Sequence, residues 1–240
     1  LHTFGYQASS NDKSITVLNY YDNSELTIPL DPELSASENA KKYFEKYSKL
    51  KRTKEALDTY VTQSQNELAL LESIEAALNI AESEQDLNDI RAELSDYGFI
   101  KKVQTNKKQK SAKSKPMHFI DDNGYDIYVG KNNYQNDELT FKIATGNDWW
   151  FHSKKMPGSH VVVKSNNTEL PDSTYEYAAS LAAYYSNGRD NDKVEIDYLQ
   201  KKNVKKPAGS AAGFVVYYTN YSMMATPSLK HVRLVDDKSC

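Results

Sequence analysis

The most distinctive part of the sequence is DWWFHSKKMPGSHV, residues 148–161. Pro157 and Gly158 suit the two central positions of a type II turn, in which glycine supplies the positive φ angle. Such a turn predicts that the chain reverses here between two strands of a β-sheet. The reversal would bring His152 close to His160.

The same stretch carries aromatic rings beside cationic side chains, among them Lys154. This mixture suits a phosphate-bearing partner, because rings stack on bases and cations contact phosphates. A β-hairpin whose rings fill the core and whose polar residues complete the turn explains the pattern equally well. Two further alternatives have less support. A metal site at His152 and His160 lacks a further ligand at suitable spacing, and serine catalysis by Ser159 lacks an acid.

A second basic segment, KKNVKKP at residues 201–207, precedes the small-residue segment AGSAAG at 208–213. Lys205 and Lys206 could approach a phosphate backbone closely beside such a loop. Lysine recognises charge and not base identity, so contacts of this kind would be sensitive to salt and independent of sequence. The alternative is a solvated loop, which is the usual fate of a run of charges.

A third basic segment covers residues 101–116, where seven lysines occur without an acid. This composition cannot form a core, so we expect an extended or disordered linker. The whole chain carries a net charge of -3, and from Glu67 to Asp96 every charged residue except Arg91 is acidic. Three separate basic segments in an otherwise acidic chain favour an anionic partner.

Residues 35–100 are predicted to form a coiled-coil helical region. A capping-box pattern, Ser35 followed three residues later by Glu38, marks its start. Apolar or near-apolar residues then recur at steps that are sums of 3 and 4, which is the spacing of a coiled-coil seam. These residues are Tyr43, Tyr47, Leu50, Leu57, Val61, Leu68, Leu71 and Leu78.

A second capping-box pattern, Ser83 followed by Asp86, predicts a break in this region at residues 82–85. The apolar spacing then continues until Gly98 ends it. We therefore expect an antiparallel helical hairpin or a bent pair of long helices. Whether the seam pairs within one chain or between two chains is left open.

The remaining segments predict an α+β fold, in which the long helical hairpin is followed by a strand-rich domain with one main helix at 173–186. Residues 1–34 contain two short strands, 15–18 and 26–30, and are interpreted as the trailing edge of a missing domain. The predicted divisions are 1–34, 35–100, 101–116 and 117–235. The strands of the last division are predicted at 118–120, 125–129, 139–144, 160–164, 194–198, 213–218 and 223–226.

The sequence gives little support to a secreted or membrane-inserted protein. Its single cysteine, Cys240, cannot form an internal disulfide. No apolar run approaches the roughly 20 residues of a membrane span, so we expect no membrane insertion. The start at Leu1 is interpreted as a domain boundary, and no motif indicates a cofactor.

Several blocks resemble one family, that of bacterial RqcH and eukaryotic NEMF, whose members are also called fibronectin-binding protein A. The most specific is residues 148–161. The blocks at 30–51 and 90–102 resemble the two ends of the family's coiled coil. Further similarity to the family's NFACT-R domain lies in GKNN at 130–133, QND at 135–137, ELPD at 169–172, AA at 178–179, AAYYS at 182–186 and KKP at 205–207.

The resemblance implies an RNA-binding role and no catalytic activity. Family members bind large ribosomal subunits that hold an obstructed nascent chain, recruit tRNA and support C-terminal alanine tailing. The implied RNA contacts use histidines and lysines for phosphates and asparagines for hydrogen bonds. The candidate residues are Asn132, Asn133, His152, Lys154, Gly158, Ser159, His160, Lys205 and Lys206.

The second function class is adhesion, because the family's other name implies binding of host fibronectin at the bacterial surface. An exposed strand edge could serve by strand addition, although the sequence lacks the tandem repeats that such binding often uses. A hydrolase using His152 and His160 is the third class. The first class implies a cytoplasmic location, and the second adds the cell surface without a signal peptide.

Overall fold

The computed structural model describes residues 1, 5–9, 11–101 and 114–235. The chain divides into two units, residues 1–66 and residues 67 onward. Helix α1, Ala36–Ile80, begins in the first unit and ends in the second. None of the described helices is both long enough and apolar enough to cross a membrane. Most lysines of the predicted linker lie outside the described residues, namely Lys102, Lys107, Lys108, Lys110 and Lys113.

The first unit opens with an antiparallel hairpin of strands β1, Ser14–Leu18, and β2, Glu25–Pro29. Both predicted strands of this segment are therefore confirmed. The hairpin closes through the backbone amide of Asn19, which donates to the carbonyl oxygen of Ser24 at 2.8 Å. Asn23 adopts a positive φ of 56° in this turn, a conformation that asparagine tolerates better than most residues.

Helix α1 begins with the predicted capping box. The amide of Ser35 donates to Glu38 Oε2 at 2.8 Å, and the amide of Glu38 donates to Ser35 Oγ at 3.3 Å. The buried side chain of Asn39 completes this start. Its Oδ1 accepts from the amide of Asp31, while its Nδ2 donates to the carbonyl oxygens of Asp31, Leu34 and Ser35. The loop before the helix is thereby fixed to the first turn.

The predicted break in the helical region is confirmed. Helix α1 ends at Ile80, and helix α2 covers Glu84–Asp96. Ser83 caps α2: its Oγ accepts from the amide of Asp86, whose carboxylate accepts from the amide of Ser83, both at 3.1 Å. Gly98 follows the helix with a positive φ of 81°, which is the usual role of glycine after a helix end.

The two helices pack against each other over a shorter length than the apolar seam of residues 43–78 predicts. Helix α2 has 13 residues, and its Ile90 packs with Ile74 and Ala77 in the last turns of α1. The upstream seam residues expose 40–61% of their surface: Tyr43, Tyr47, Leu50, Leu57, Val61 and Leu68. Within the described residues, the intrachain hairpin therefore uses only the C-terminal part of the seam.

The second unit contains a seven-stranded antiparallel sheet, which together with the helices confirms the α+β class. The spatial order is β8-β7-β5-β6-β4-β3-β9. The strands are β3 Met117–Asp121, β4 Asp126–Val129, β5 Trp149–Ser153, β6 Val161–Val163, β7 Val194–Gln200, β8 Tyr221–Ala225 and β9 Val232–Leu234.

Each face of this sheet packs against a different helical segment. Helix α4, Asp172–Tyr184, contributes Ala178, Leu181 and Ala182 to the core on one face. The opposite face packs against Leu139 of the π-helical turn Leu139–Ile143, which continues the short helix α3, Asn133–Glu138. Helix α4 confirms the predicted main helix at 173–186.

Two predicted strands are wrong. Residues 139–144 alternate like a strand, but they continue α3 as a π-helical turn, and the adjacent Leu139 and Thr140 are both fully buried. Residues 213–218 form only an isolated bridge, between Val216 and Lys205. Conversely, the three-residue strand β9 was not predicted. It pairs with β3 across more than a hundred residues of chain, a distance at which a local pattern gives no signal.

Removing the cap of α2 should loosen this helix. Ser83→Ala deletes the Oγ acceptor and should lower the local stability of α2 by about 1 kcal/mol. Backbone amides of α2 that exchange by local opening should then exchange with solvent about fivefold faster, as measured by hydrogen–deuterium exchange. Ser64→Ala, at an exposed position within α1, is the matched control. Unchanged exchange in Ser83→Ala would show that the capping box does not stabilise α2.

Candidate nucleic-acid interface

Strand β5 sends consecutive side chains to opposite faces of the sheet. Phe151 belongs to the core beneath α4. Trp150 belongs to the other core, where it packs with Leu139, Val162 and Leu199. Side chains alternate in this way along any extended strand. Residues 149–153 are therefore divided between the two faces of the sheet.

His152 and His160 lie together on the face that carries Trp150, which confirms their predicted proximity. Their ring centroids are 5.4 Å apart and nearly perpendicular. The indole of Trp150 lies 5.6 Å from the His152 ring and 5.0 Å from the His160 ring. Among the described residues, no group of three or more His, Cys, Asp or Glu side chains is arranged to hold a metal ion.

His160 is held inside the domain. Its Nδ1 lies 2.7 Å from Thr140 Oγ1 and 3.2 Å from the carbonyl oxygen of Asn136, and its backbone amide donates to Asn136 Oδ1 at 2.9 Å. Burial, followed by the neighbouring His152, holds its pKa well below the usual range. His160 is therefore uncharged at neutral pH and has no cation to offer a phosphate.

His152 keeps a small exposed fraction. Its removal from most solvent lowers its pKa to about 4, although backbone hydrogen bonds with Gly158 and Ser153 and the charge of Asp197 oppose the change. Uncharged imidazole is thus the form that both buried sites favour, because desolvation penalises the protonated ring.

The low pKa of His152 predicts a pH-dependent stability. His152 binds a proton more readily in the unfolded chain than in the folded one. The free energy of unfolding should therefore fall as the pH drops from about 6.5 towards 4. His152→Gln removes this group, and the wild-type stability relative to the variant should decrease over that window in urea unfolding. An NMR titration of the wild-type ring should give a midpoint near 4. A midpoint near 6.5 would contradict the assignment.

Gly158 does not form the predicted type II turn. The residue with positive φ is Lys155, at 57°, in the turn that follows β5. Gly158 instead makes an isolated antiparallel bridge with Ser186. A Cβ at this position would lie 2.7 Å from Ser153 Oγ and 2.9 Å from Ser186 Cβ. Glycine is therefore needed here for close packing and not for a special φ angle.

Asn132 and Asn133 have structural roles at the start of α3. Asn132 is the N-cap, because its Oδ1 accepts from the amide of Gln135 at 2.9 Å. Asn133 Nδ2 donates to Ser73 Oγ and to Glu93 Oε1, each at 2.8 Å. Both asparagines are buried. Asn132 thus fixes the start of α3, and Asn133 joins α3 to α1 and α2.

Glu93 is the most unusual member of this junction, because it is a fully buried carboxylate. Within the described residues, its Oε2 has no hydrogen-bond partner. Burial raises its pKa, and the hydrogen bond from Asn133 only partly opposes the change. The carboxylate of nearby Asp86 is different, since Lys131 Nζ lies 2.6 Å from its Oδ1.

Replacing Glu93 by an uncharged residue should stabilise the domain, and this stabilisation should increase as the pH rises. The folded state holds the Glu93 proton more tightly than the unfolded state, so wild-type stability falls as pH rises from 4.5 through the raised pKa. The unfolding free energy of Glu93→Gln, minus that of the wild type, should therefore increase between pH 4.5 and 7.5. Glu176→Gln reports the effect of removing an exposed carboxylate. A difference that does not change with pH would argue against a raised pKa.

Two lysines of residues 201–206 lie near an aromatic ring on the face that carries Trp150. Lys201 Nζ lies 5.6 Å from the ring centroid of Phe141, and Lys206 Nζ lies 6.0 Å from it. The backbones of Lys205 and Val216 exchange two hydrogen bonds of 2.9 Å, which fix this segment. The amide of Lys202 donates to the carbonyl oxygen of Gly146 at 3.0 Å. We call Lys201, Lys202, Lys205, Lys206 and Phe141 the basic surface.

The lysines differ in how free their charges are. Lys206 pairs with Asp137, and Lys154 Nζ lies 2.6 Å from Glu195 Oε1. Within the described chain, Lys202 and Lys205 are exposed and form no ion pair. These two lysines are therefore the ones most available to a phosphate.

The nine candidate residues thus fall into three groups. Lys154, Lys205 and Lys206 reach the surface, whereas Asn132, Asn133, Ser159 and His160 are buried and His152 and Gly158 are partly buried. RNA contact at all nine stays a prediction. Phe141, Lys201 and Lys202 also belong to the site but are not among the nine candidates. The KKNVKK segment is a sequence signal for the two lysines, whereas the alternation at residues 139–144 predicts a strand for Phe141.

Two family models match the chain. The model described as NFACT N-terminal and middle domains matches residues 1–113, and the model described as NFACT protein RNA binding domain matches residues 115–217. The second range contains all nine candidate residues and the whole basic surface.

Similar proteins agree with these matches. The chain is 39% identical to the Rqc2 homolog RqcH of Streptococcus pneumoniae and 36% identical to that of Bacillus subtilis, over 97% and 92% of its length. It covers only 42% and 39% of these relatives, so it spans about two fifths of their length. A solved structure, the C-terminal part of the fibronectin/fibrinogen-binding protein of Streptococcus suis, is 38% identical with a TM-score of 0.75. That match covers 82% of this chain and 78% of the other.

Proposed function

Because the chain belongs to the NFACT family, the family of RqcH and NEMF, we propose that it binds RNA of the large ribosomal subunit and tRNA through the basic surface. In this proposal the chain is a binding module without catalytic activity, and it supports alanine tailing of obstructed nascent chains as part of a longer protein. The role implies a cytoplasmic location. The observation that carries it is the position of the basic surface within the matched RNA-binding domain.

The geometry favours backbone contact over base recognition. Lysine ammonium groups meet phosphates as point charges and carry no information about base identity. Phe141 adds a ring beside the charges, on which an unpaired base could stack. The fixed backbone between Lys205 and Val216 reduces the entropy lost when the lysines of this segment engage a phosphate.

The buried candidate residues act in this proposal by positioning. Asn132 and Asn133 hold α3, and the π-helical turn that follows it carries Phe141. His160 bonds to Thr140 in the same turn. Loss of any of these side chains should therefore displace Phe141 of the basic surface.

The salt dependence of RNA binding tests the proposal. In Lys202→Ala/Lys205→Ala, the slope of log K against log salt should become shallower by roughly 1.4–1.8, since each lost phosphate contact contributes about 0.7–0.9. Binding is measured with large subunits carrying peptidyl-tRNA and with free tRNA. Lys193→Ala/Lys230→Ala removes the same charge from exposed positions elsewhere in the domain. Equal changes in both double variants would place the RNA contact outside the basic surface.

Fibronectin binding is the second candidate, and the likeness to the S. suis protein favours it. A strand edge is available for addition of a peptide strand, since β8 ends the sheet and most of its residues are exposed. Tight fibronectin binding that excess tRNA does not reduce, together with no binding to large subunits, would favour this candidate. Such a result would also imply exposure at the cell surface.

A further inference from the structure

A second surface lies on the face of the sheet that is covered by α4. Four aromatic rings meet there: Trp149 of β5, Tyr175 of α4, Tyr198 of β7 and Tyr221 of β8. The Trp149 centroid lies 4.9 Å from that of Tyr175, 5.9 Å from that of Tyr198 and 6.2 Å from that of Tyr221. The rings are tilted against one another, with interplanar angles of 32–84°.

These rings are not simply part of the core. Tyr221 is 62% exposed, and Trp149, Tyr175 and Tyr198 are each partly exposed at the edge of the core. Fully buried Phe151 stacks on Tyr198 at 5.5 Å and anchors the group from below. Solvent thus reaches one side of an aromatic cluster whose other side is packed.

Two carboxylates, Glu169 and Asp172, accompany the rings. Asp172 is the first residue of α4, three residues before Tyr175. After the larger effects of burial and of the neighbouring Tyr198, the negative charges of Glu169 and Asp172 help to raise the pKa of Tyr175 to about 12. Both are exposed, and within the described chain neither forms an ion pair. We call these two acids and the four rings the aromatic–acidic surface.

We propose that the aromatic–acidic surface binds arginine or lysine side chains of a basic polypeptide. Ring faces are electronegative and attract cations within about 6 Å, and uncompensated carboxylates add to that attraction. Among the described residues, lysine and arginine side chains lie over the rings of Tyr184 and Phe141. None of them lies over the four rings of the aromatic–acidic surface. A cationic side chain is therefore the complementary ligand.

The surface is separate from the proposed RNA contacts. Trp149 packs on the α4 side of the sheet, whereas Trp150 packs on the side of Phe141 and the basic surface. Exposed carboxylates would repel a phosphate backbone, which makes RNA a poor ligand for this face. The proposal goes beyond RNA binding and would stand if the basic surface proved to have another role.

The test uses the dye-labelled peptide acetyl-Arg-Gly-Arg-Gly-Arg-amide and measures fluorescence anisotropy with the whole chain. Tyr221→Ala removes the most exposed ring and should weaken binding about two- to fivefold. Glu169→Gln should weaken binding and make it less sensitive to salt. The matched controls are Tyr218→Ala, at a tyrosine that is 86% exposed, and Glu176→Gln, and both should bind as the wild type does.

A citrulline version of the peptide, which keeps the shape of arginine without its charge, should bind several-fold more weakly. Equal binding of the two peptides would overturn the proposal, as would equal losses in the Glu169→Gln and Glu176→Gln variants, because bulk negative charge would then suffice. Reduced tRNA binding in Tyr221→Ala with unchanged peptide binding would assign the rings to RNA instead. Loss of tRNA binding in the Lys202/Lys205 variant alone leaves this proposal intact.

Discussion

The domain depends on a central strand whose two middle side chains are buried on opposite faces of the sheet. Strand β5 lies between β7 and β6, and Trp150 and Phe151 are both fully buried although they point in opposite directions. The two cores are thereby assembled on the same five residues, and a shift of register by one residue would exchange them. The same alternation places Trp149 on the face of the aromatic–acidic surface and Trp150 on the face of the basic surface. The basic surface and the aromatic–acidic surface stand back to back because one strand divides them.

Features that depend on local chemistry could be predicted from the sequence. Ser35 and Ser83 cap helices because their hydroxyls satisfy backbone amides that no helical carbonyl can reach, and this requirement is visible within four residues. Helix α4 follows from the spacing of its apolar residues. The α+β class followed from the change of period at residue 117, where helical spacing gives way to short strands.

Features that depend on tertiary contacts could not be predicted. The alternation from Leu139 to Ala144 fits a strand, but the cap at Asn132 starts a helix that runs into it. Phe141 consequently entered the site without any sequence signal. The Pro-Gly pair predicts a turn, whereas the role of Gly158 depends on close packing against Ser186, which is 28 residues away. The uncharged state of His160 depends on burial, which the sequence does not display.

The junction around Asn133 shows why a family motif does not by itself identify a binding residue. An amide that bonds to Ser73 and to a buried carboxylate cannot be replaced without leaving a polar group unsatisfied. Selection for folding alone would therefore retain it. The exposed lysines are under no such constraint, since a solvated ammonium group contributes little to stability. Their retention in a lineage would indicate a ligand more directly than retention of the asparagines.

The adjacent tryptophans give the protein two optical reporters. They are the only indoles in the chain, and their surroundings differ. Trp150 is fully buried beside two imidazoles, and Trp149 lies among phenol rings at the solvent edge. Their emission should differ in wavelength and in access to a dissolved quencher. Occupation of the aromatic–acidic surface should then reduce the quencher access of Trp149 more than that of Trp150. Fluorescence quenching could thus report whether a ligand occupies the face of the sheet that carries Trp149.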